Sequence, residues 1–458
     1  MKRHLSLLGP LGLRCPEVVA VVGAGGKTTL VYRLASEARS LGRRVLVTTT
    51  THMGTLPEAT TGPVFVEAEG QGVDGLRGAL QREGIATLLG RRIRPDKLEG
   101  ISPGRVDALA GLADLVLVEA DGARGRSLKA PAEHEPVVPS STTLVVVVAG
   151  LDAIGSPLDP EHVHRVERVV EVTGKGAGLV LEEADVAACL GDPRSYPSRI
   201  PRGARAAVFL NKAEDAAALA AAERIAERLI PPYDVVAAGS ARDGEGRAVA
   251  PVAGIVLAAG GSRRMGRPKM LLPLGRGTVL GAAVAPLLEA GLSPVVVVLG
   301  SDADQVRGGA GLPQDPRLRV VANEGWGEGM ASSLRRGLQE CPGAGAALVA
   351  LGDQVGVTPE RVRRLVEAWR AGAPLAVPVH QDRASHPVVF SRALFSELLQ
   401  LAGDVGARDV VRRHWAEAAR VESEPLRDLD TEEDYAAMLR GLPPRDDDGL
   451  RPPSSDNI

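Results

Sequence analysis

The stretch GIVLAAGGSRRMGRPK, residues 254–269, decides the fold of the C-terminal half of the chain. Its first residues are apolar on both faces, as in a buried parallel strand, and they lead into glycines, arginines and a lysine. Small residues let backbone amides approach a phosphate chain, and cationic side chains balance its charge. The stretch therefore predicts a strand followed by a loop that binds a nucleoside triphosphate. For the glycines alone, a tight turn is the alternative.

We expect this loop to contact the nucleotide through its strand end, its glycines and its cations. The nucleotide-binding candidates are Leu257, Ala258, Ala259, Gly260, Gly261, Ser262, Arg264 and Lys269. Arg264 and Lys269 are also catalytic candidates, because they can neutralise the charge of the triphosphate during the reaction.

Further candidates follow other predicted strands of this half. AALVALGD ends a strand in Asp353, at the sheet edge where ligands bind in open α/β folds. In RDLDTEEDY (427–435), Asp428 and Asp430 face one side if the segment is extended. Asp353 and Asp430 are candidate Mg²⁺ ligands, and Asp353 is also a catalytic candidate. The alternatives are a capping aspartate for Asp353 and an acidic first helical turn for DTEED. His386, before a proline, is a candidate substrate residue or an ordinary turn residue.

A second glycine loop lies in VVAVVGAGGKTT (18–29), between a predicted strand and a predicted helix. Lys27 would meet the β- and γ-phosphates, Thr28 the metal, and the helix N-terminus the anion. The Walker A pattern has glycine six residues before the lysine, where Val21 stands, so the loop is a variant. The nucleotide-binding candidates are Gly23, Gly25, Gly26, Lys27, Thr28 and Thr29. We expect the nucleotide at this loop to be ATP or GTP.

Two more strand ends of this half carry polar groups. LVLVEADG ends in Glu119 and Asp121, and Asp121 resembles a Walker B carboxylate, with a capping acid as the alternative. Thr28 and Asp121 are therefore candidate metal ligands. FLNKAED (209–215) resembles the NKxD motif by which GTPases read the base, but Glu214 occupies the aspartate position. A plain polar strand end is the alternative there.

Short valine-rich runs alternate with helical stretches along most of the chain, which predicts the α/β class with two doubly wound, mostly parallel sheets. We expect a P-loop-like NTP-binding domain over 1–240 and a Rossmann-like nucleotide-binding domain over 253–440. Residues 241–252, rich in small and charged side chains, are expected to form the linker. Residues 441–458 lack large apolar side chains and are expected to be a disordered tail.

Composition narrows the function classes. The net charge of −3 gives no global field for nucleic acid or an anionic membrane, so we expect neither as a partner. The longest apolar run, 144–151, is far shorter than the roughly 20 residues that span a bilayer. The three cysteines show no CxxC spacing, which argues against disulfides and metal clusters. We expect a soluble, cytoplasmic protein.

The C-terminal motifs together resemble the molybdenum cofactor cytidylyltransferases over residues 253–438. The motifs that carry the resemblance are LAAGGSRRMGRPKMLLPLG, NEGWGEGMASSLRRGL, LGD, HPVVF, GDVGAR and DLDTEEDY. The resemblance implies Mg²⁺-dependent transfer of CMP from CTP to molybdopterin with release of pyrophosphate. In that family LAAG accompanies CTP, whereas guanylyltransferases carry LAGG. Val355 and Ser385 depart from the family's proline and glycine, which bears on substrate placement. A guanylyl- or sugar-type nucleotidyltransferase is the alternative.

The N-terminal motifs resemble the accessory protein family of selenium-dependent molybdenum hydroxylases over residues 18–215. The motifs that carry the resemblance are GAGGKTTL, VLVTTTTHM, VEADGARGRSLKAPAEHEP, VVVVAGLDAIG and FLNKAED. The resemblance implies an NTP-binding domain that assists maturation of an apo molybdenum hydroxylase of the xanthine dehydrogenase type. The alternatives are an ATP-dependent ligase of the Mur type and an NTP-switched carrier that hands over finished cofactor.

Overall fold

The computed structural model describes residues 6–54, 62–70, 72–94, 97–261, 265–381 and 383–441. Ser262 and Arg264 lie outside the described residues, as does the expected tail apart from Gly441. The chain divides into two compact units, Met1–Ala250 and Pro251–Ile458. Within the described part of the chain, no helix has the length and apolar character needed to cross a bilayer.

The first unit is a sheet with helices packed on it. Its strands are β1 (Glu17–Gly23), β2 (Val45–Thr49), β3 (His52–Gly54), β4 (Val64–Val66), β5 (Ile85–Leu89), β6 (Arg91–Arg94), β7 (Lys97–Glu99), β8 (Leu115–Glu119), β9 (Leu128–Lys129), β10 (Leu144–Gly150), β11 (Val163–His164), β12 (Arg205–Asn211), β13 (Val235–Ser240) and β14 (Glu245–Ala248). Its helices are α1 (Lys27–Ser40), α2 (Val73–Glu83), α3 (Pro103–Leu109), α4 (Val166–Thr173), α5 (Glu183–Gly191) and α6 (Ala216–Ala226).

The main sheet of this unit has the order β14-β13-β12-β10-β1-β8-β2-β5-β4, and every pairing in it is parallel except that of β14. The central strand β1 is buried along its whole length, with Val21 opposite Val146 on one side and Glu119 on the other. Burial on both faces explains its unbroken apolar sequence. Because the strands are parallel, the carboxyl ends of β1, β8, β10, β12 and β13 share one edge.

The segment 241–252 is not the linker that its sequence predicted but contains regular secondary structure. Residues 241–252 contain β14, which forms an antiparallel hairpin with β13. The turn contains Asp243 and Gly244, and Gly244 has φ of 75°, a conformation that suits glycine. An Asp-Gly pair is a known hairpin signal. The small and charged residues of this segment therefore form an edge strand of the first unit.

The second unit is also a sheet with helices packed on it. Its strands are β15 (Val252–Ala258), β16 (Pro273–Leu274), β17 (Gly277–Thr278), β18 (Val295–Leu299), β19 (Leu318–Ala322), β20 (Ala346–Leu351), β21 (Gln354–Val355), β22 (Leu375–His380), β23 (Arg383–Ala384), β24 (Val388–Ser391), β25 (Ala419–Glu422) and β26 (Arg427–Asp428). Its helices are α7 (Val279–Glu289), α8 (Ala303–Gly309), α9 (Met330–Gln339), α10 (Pro359–Arg370), α11 (Phe395–Leu399), α12 (Arg408–Arg413) and α13 (Glu432–Leu439).

The sheet of the second unit has the order β19-β18-β15-β20-β24-β22-β23, with β25 added on β22. The strands from β19 to β20 are parallel, whereas β24 runs antiparallel to both of its neighbours. The central β15 is fully buried, with Ile255 opposite Val296 and Val349. The predicted α/β class with mostly parallel sheets is confirmed.

A short ladder brings the C-terminal acidic segment to the end of β20. Strand β21 pairs antiparallel with β26, so that Gln354 lies opposite Asp428. The amide of Leu429 then donates to the carbonyl of Asp353 at 3.1 Å. Helix α13 follows directly, with Thr431 and Asp434 forming a capping box. The segment 427–435 therefore contains both the extended stretch and the acidic helix start that its sequence allowed.

Candidate nucleotide sites

The loop after β15 passes over the end of the neighbouring strand β18. Leu257 and Ala258 end β15, and Ala259, Gly260 and Gly261 follow. A Cβ on Gly300, the residue after β18, would fall on the Ala259 carbonyl. Backbone therefore packs directly on backbone at this point.

Lys269, Asp353 and Asp430 form one cluster at the ends of their segments. The Lys269 ammonium donates to a carboxylate oxygen of Asp353 and, at 3.2 Å, to Oδ1 of Asp430. The side chains are 11%, 21% and 44% exposed respectively. Burial alone would lower the pKa of Lys269, but the charges and hydrogen bonds of the two carboxylates outweigh it, and the pKa is raised. Lys269 is therefore a firmly protonated cation.

The two carboxylates of this cluster suit a hard divalent cation. Asp353 and Asp430 both reach the same ammonium, so their oxygens converge on one position. Carboxylate oxygens are the ligands that Mg²⁺ prefers. Asp428 is exposed in β26, opposite Gln354. Of the two aspartates in DLD, the structure thus brings Asp430 to Lys269.

His386 lies near the same cluster. Burial lowers the pKa of its imidazole, although the backbone of Val349 and the charge of Asp353 raise it in part. The net direction is downward, so the ring is neutral at neutral pH. A neutral imidazole can donate or accept a hydrogen bond toward a substrate without adding charge.

The sequence reasoning did not single out two residues near the glycine loop, Asn323 and Trp326. Asn323 is buried and donates to the hydroxyls of Ser332 and Ser333 at 2.8 and 3.0 Å. Trp326 lies close to Gly261, because a Cβ there would be 3.7 Å from the indole ring. A tryptophan just after a strand end, in a chain with only 2% aromatic residues, was an available signal.

In the first unit, the loop after β1 requires its glycines. Gly23, Gly25 and Gly26 have φ of 99°, 80° and 114°, which L side chains rarely adopt. A Cβ on Gly25 would fall on the backbone nitrogen of Gly150 at the end of β10. Helix α1 begins at Lys27, so its free N-terminal amides belong to this loop.

Lys27 and Thr28 reach two carboxylates at the end of β8. The buried Lys27 ammonium donates to the Gly23 carbonyl at 2.7 Å and pairs with Asp121 at 3.2 Å. The Thr28 hydroxyl donates to Glu119 at 2.7 Å. Burial raises the pKa of Glu119, and the charge of Lys27 lowers it in part. Thr29 lies exposed in the first turn of the helix.

Asp121, the expected metal ligand, is fully buried in a network of its own. It accepts hydrogen bonds from the Gly23 amide at 3.0 Å and from Lys129 at 2.9 Å. Lys129 also pairs with Glu135 at 2.9 Å. Glu119 is thus the carboxylate that contacts the Thr28 hydroxyl, and Asp121 holds Lys27 and the loop. Lys129 and Glu135 were not singled out from the sequence.

The end of β12 is joined to the same loop. The Asn211 amide donates to the Gly25 carbonyl at 2.7 Å, and its oxygen accepts from the Ala241 amide at 2.9 Å. The asparagine of NKAED therefore contacts the glycine loop directly, which the plain strand-end interpretation did not require.

Two protein families match the chain. Residues 19–167 match the family described as YqeC protein, and residues 254–419 match the MobA-like NTP transferase domain. The two matches lie in different units.

Individual relatives agree with this division. The "Uncharacterized protein YqeC" of Escherichia coli (strain K12) is 36% identical over 200 residues, which are 43% of this chain and 76% of that protein. The "Nicotine blue oxidoreductase" of Paenarthrobacter nicotinovorans is 35% identical over 35% of this chain and 82% of its own length. The "Molybdenum cofactor cytidylyltransferase" of Escherichia coli (strain K12) is 24% identical over 40% of this chain and 92% of its own length. The chain belongs to the YqeC family through its N-terminal half and to the MobA-like NTP transferase family through its C-terminal half.

Proposed function

We propose that the C-terminal half transfers CMP from CTP to molybdopterin with release of pyrophosphate. The observation that carries the proposal is the cluster of Lys269, Asp353 and Asp430 beside the glycine loop after β15. The LAAG form of that loop supports CTP as the donor. The similarity to a molybdenum cofactor cytidylyltransferase supports molybdopterin as the acceptor.

The chemistry needs alignment and charge neutralisation more than a strong base. A phosphate monoester has a second pKa of about 6, so the acceptor is mostly a dianion at neutral pH. One of its oxygens attacks the α-phosphorus of CTP, the bond from that phosphorus to the bridging oxygen breaks, and pyrophosphate leaves with the electron pair. Positioned cations stabilise the charge that shifts during this transfer.

The residues of the cluster have distinct roles in this proposal. Asp353 and Asp430 would hold Mg²⁺, which when bound supplies neutralising charge to the triphosphate. Lys269 fixes both carboxylates and presents its ammonium to the phosphates. Arg264, outside the described residues, is proposed as a second phosphate ligand. The neutral His386 would contact the acceptor.

For the N-terminal half we propose an NTP site that assists maturation of a molybdenum hydroxylase. Lys27 and the first amides of α1 would bind the phosphates. Thr28 and the acidic end of β8 would hold the accompanying Mg²⁺. The buried pairs that tie Lys27 and Gly23 to Asp121 support a preorganised loop.

An assay of pyrophosphate release distinguishes the function proposed for the C-terminal half from the alternative functions. The purified full chain is incubated with Mg²⁺, molybdopterin and each nucleoside triphosphate in turn, and pyrophosphate and product mass are measured. We expect pyrophosphate with CTP and a product heavier than molybdopterin by one CMP.

Other outcomes would replace the proposal. Turnover with GTP would indicate a guanylyltransferase. If no triphosphate reacts with molybdopterin, the incubation is repeated with a sugar phosphate as the acceptor, and turnover there would indicate a sugar-type enzyme. Tight cofactor binding without pyrophosphate would indicate a carrier. Oxidation or reduction of nicotine blue without pyrophosphate would indicate the chemistry in the name of the Paenarthrobacter relative.

A further inference from the structure

The candidate NTP site of the first unit lies at the carboxyl ends of the strands of the main sheet, and different strands flank it on the two sides of β1. On one side of β1 lies β8, which ends in the carboxylates near Thr28. On the other side lie β10, β12 and β13, in that order. All of these strands are parallel, so their ends share one edge. With the phosphates on the loop after β1 and the metal toward β8, the base of a nucleotide would lie on the opposite side of β1, toward β12 and β13.

That end of the edge is built around Asn211. Its side chain joins the Gly25 carbonyl to the Ala241 amide, at 2.7 and 2.9 Å. The Arg33 side chain of α1 donates to the Ala241 carbonyl at 3.3 Å. A Cβ on Gly26 would fall on the Asn211 amide nitrogen. The glycine loop, the end of β12 and the turn after β13 are therefore fixed to one another.

Two charged side chains after Asn211 lie at the same edge. Lys212 has φ of 64°, and its ammonium contacts the Ser127 hydroxyl at 3.0 Å and Asp152 at 2.6 Å. Asp152 follows β10, so the methylene stem of Lys212 runs from the end of β12 toward β10, as an apolar strip suited to the face of a base. Glu214 is exposed, with its Oε1 3.3 Å from the Ser240 hydroxyl at the end of β13.

We propose that the N-terminal site is specific for a guanine nucleotide and that the carboxylate of Glu214 reads the base. Guanine presents two adjacent donors, N1–H and the 2-amino group, and a carboxylate offers two acceptor oxygens to match them. Adenine presents a lone pair at N1 and a C–H at C2, which a carboxylate cannot satisfy. This inference rests on the proposed function, in which the glycine loop binds a nucleoside triphosphate.

Asp243 provides a matched control within the same hairpin. Its Oδ2 lies 2.6 Å from the Ser240 hydroxyl, which also contacts Glu214. Asp243 lies in the turn between β13 and β14, so it shares the serine without following Asn211. Changing Asp243 removes a comparable charge and leaves Glu214 in place.

The test titrates the full chain with GTP, ATP and XTP in the presence of Mg²⁺. Binding is assigned to this site by hydrogen-exchange protection of peptides that cover β1 and α1, which separates it from binding at the C-terminal half. We expect GTP to bind about tenfold or more tightly than ATP. The same titrations are carried out on Glu214→Gln, Glu214→Ala and Asp243→Asn.

The expected changes in affinity for GTP and XTP differ among the variants in a way that a general loss of stability would not produce. Glu214→Gln should weaken GTP by about tenfold or more and strengthen XTP, because glutamine offers one acceptor for N1–H and one donor for the 2-oxo group of xanthine. Glu214→Ala should lose GTP without gaining XTP, and Asp243→Asn should keep the GTP preference. Equal protection by ATP and GTP in the wild type, or an unchanged preference in Glu214→Gln, would overturn the guanine assignment alone. Absence of protection by any triphosphate would overturn the proposed NTP site as well.

Discussion

The ammonium of Lys269 donates a hydrogen bond to Asp353, although 84 residues separate them, and the same ammonium reaches Asp430, 161 residues away. Two features of the fold bring these three side chains together. The parallel pairing of β15 and β20 brings the segments after both strands to one edge, and the ladder of β21 and β26 adds the DLD segment. The positive charge of the buried Lys269 holds the two carboxylates close together despite their mutual repulsion.

Replacing Asp353 by asparagine should abolish Mg²⁺-dependent turnover of CTP. The asparagine side chain keeps the size of the aspartate but lacks the charge that a metal ligand supplies. We expect turnover to fall by about 100-fold or more, with CTP binding largely retained because the glycine loop is intact. Pyrophosphate release and equilibrium binding of CTP measure the two effects separately.

Asp428→Asn is the matched control for that variant. Asp428 lies in the same ladder, opposite Gln354, and is exposed, so the variant removes one nearby charge and should keep nearly full turnover. Turnover like that of the wild type in Asp353→Asn would remove the metal role of this residue.

Replacing Lys27 by methionine should uncouple the two halves. Methionine keeps much of the length of the side chain but has no charge for the β- and γ-phosphates, so NTP binding at α1 should be lost. We expect activation of an apo molybdenum hydroxylase to fall while pyrophosphate release from CTP is unchanged. An assay of both activities on one preparation tests this. Equal activation by the variant and the wild type would remove the NTP role of the N-terminal half.

Gly25→Ala and Gly42→Ala should differ sharply although both glycines have similar φ, 80° and 76°. Alanine in the left-handed region costs about 1–2 kcal/mol at either position. At Gly25 the added methyl group also meets the backbone of Gly150, whereas at Gly42 nothing lies within 4 Å. Only Gly25→Ala should therefore lose nucleotide binding at α1.

Hydrogen exchange of β1 peptides reports on the first unit in these two variants. Emission of the three tryptophans reports on the second, because all of them lie there; they are Trp326, Trp369 and Trp415. Equal loss of nucleotide binding in both glycine variants would show that φ alone, and not the contact with Gly150, decides the effect.

The sequence predicted the features that are local to one strand and its loop. Both glycine loops, their lysines and Asp353 follow from an apolar strand that runs into small and charged residues. The partners across the sheet could not be predicted, because strand order and register decide them. Asn211 thus lies 186 residues from the carbonyl of Gly25 that it contacts. Charge pattern alone also misassigned β14, since an edge hairpin and a linker share the same small and charged residues.

The same limit explains the acidic end of β8. Glu119 and Asp121 are two residues apart and chemically alike, so the sequence alone could not show that Glu119, and not the predicted Asp121, contacts Thr28. Burial and contacts do separate them, because Asp121 is enclosed by the Gly23 amide, Lys27 and Lys129, whereas Glu119 meets Thr28. The burial of Lys129 could not be predicted, for a related reason. A lysine that follows a glycine- and arginine-rich stretch gives no sign in the sequence that it is fully buried.

Glu135→Gln should destabilise the first unit in a manner that depends on pH. Burial would raise the pKa of Glu135, but hydrogen bonds from Arg165 and Lys129 outweigh it and lower the pKa from 4.5 to about 2. Since the folded pKa lies below the unfolded one, the stabilisation is fully present above pH 4.5 and is lost as the pH falls from 4.5 toward 2. At neutral pH we expect a loss of about 2–3 kcal/mol in the free energy of unfolding.

The loss is measured by denaturant unfolding, with hydrogen exchange of β1 and β8 peptides as the readout. The difference in free energy of unfolding between the variant and the wild type should shrink as the pH is lowered from 4.5 toward 2. Glu133→Gln is the control, because Glu133 is an exposed carboxylate two residues away and should change stability little at any pH. A difference for Glu135→Gln that stays constant across the window would mean that Glu135 stabilises the network by packing and not by its charge. The network would then hold Asp121 and Lys27 without an ionic link to Arg165.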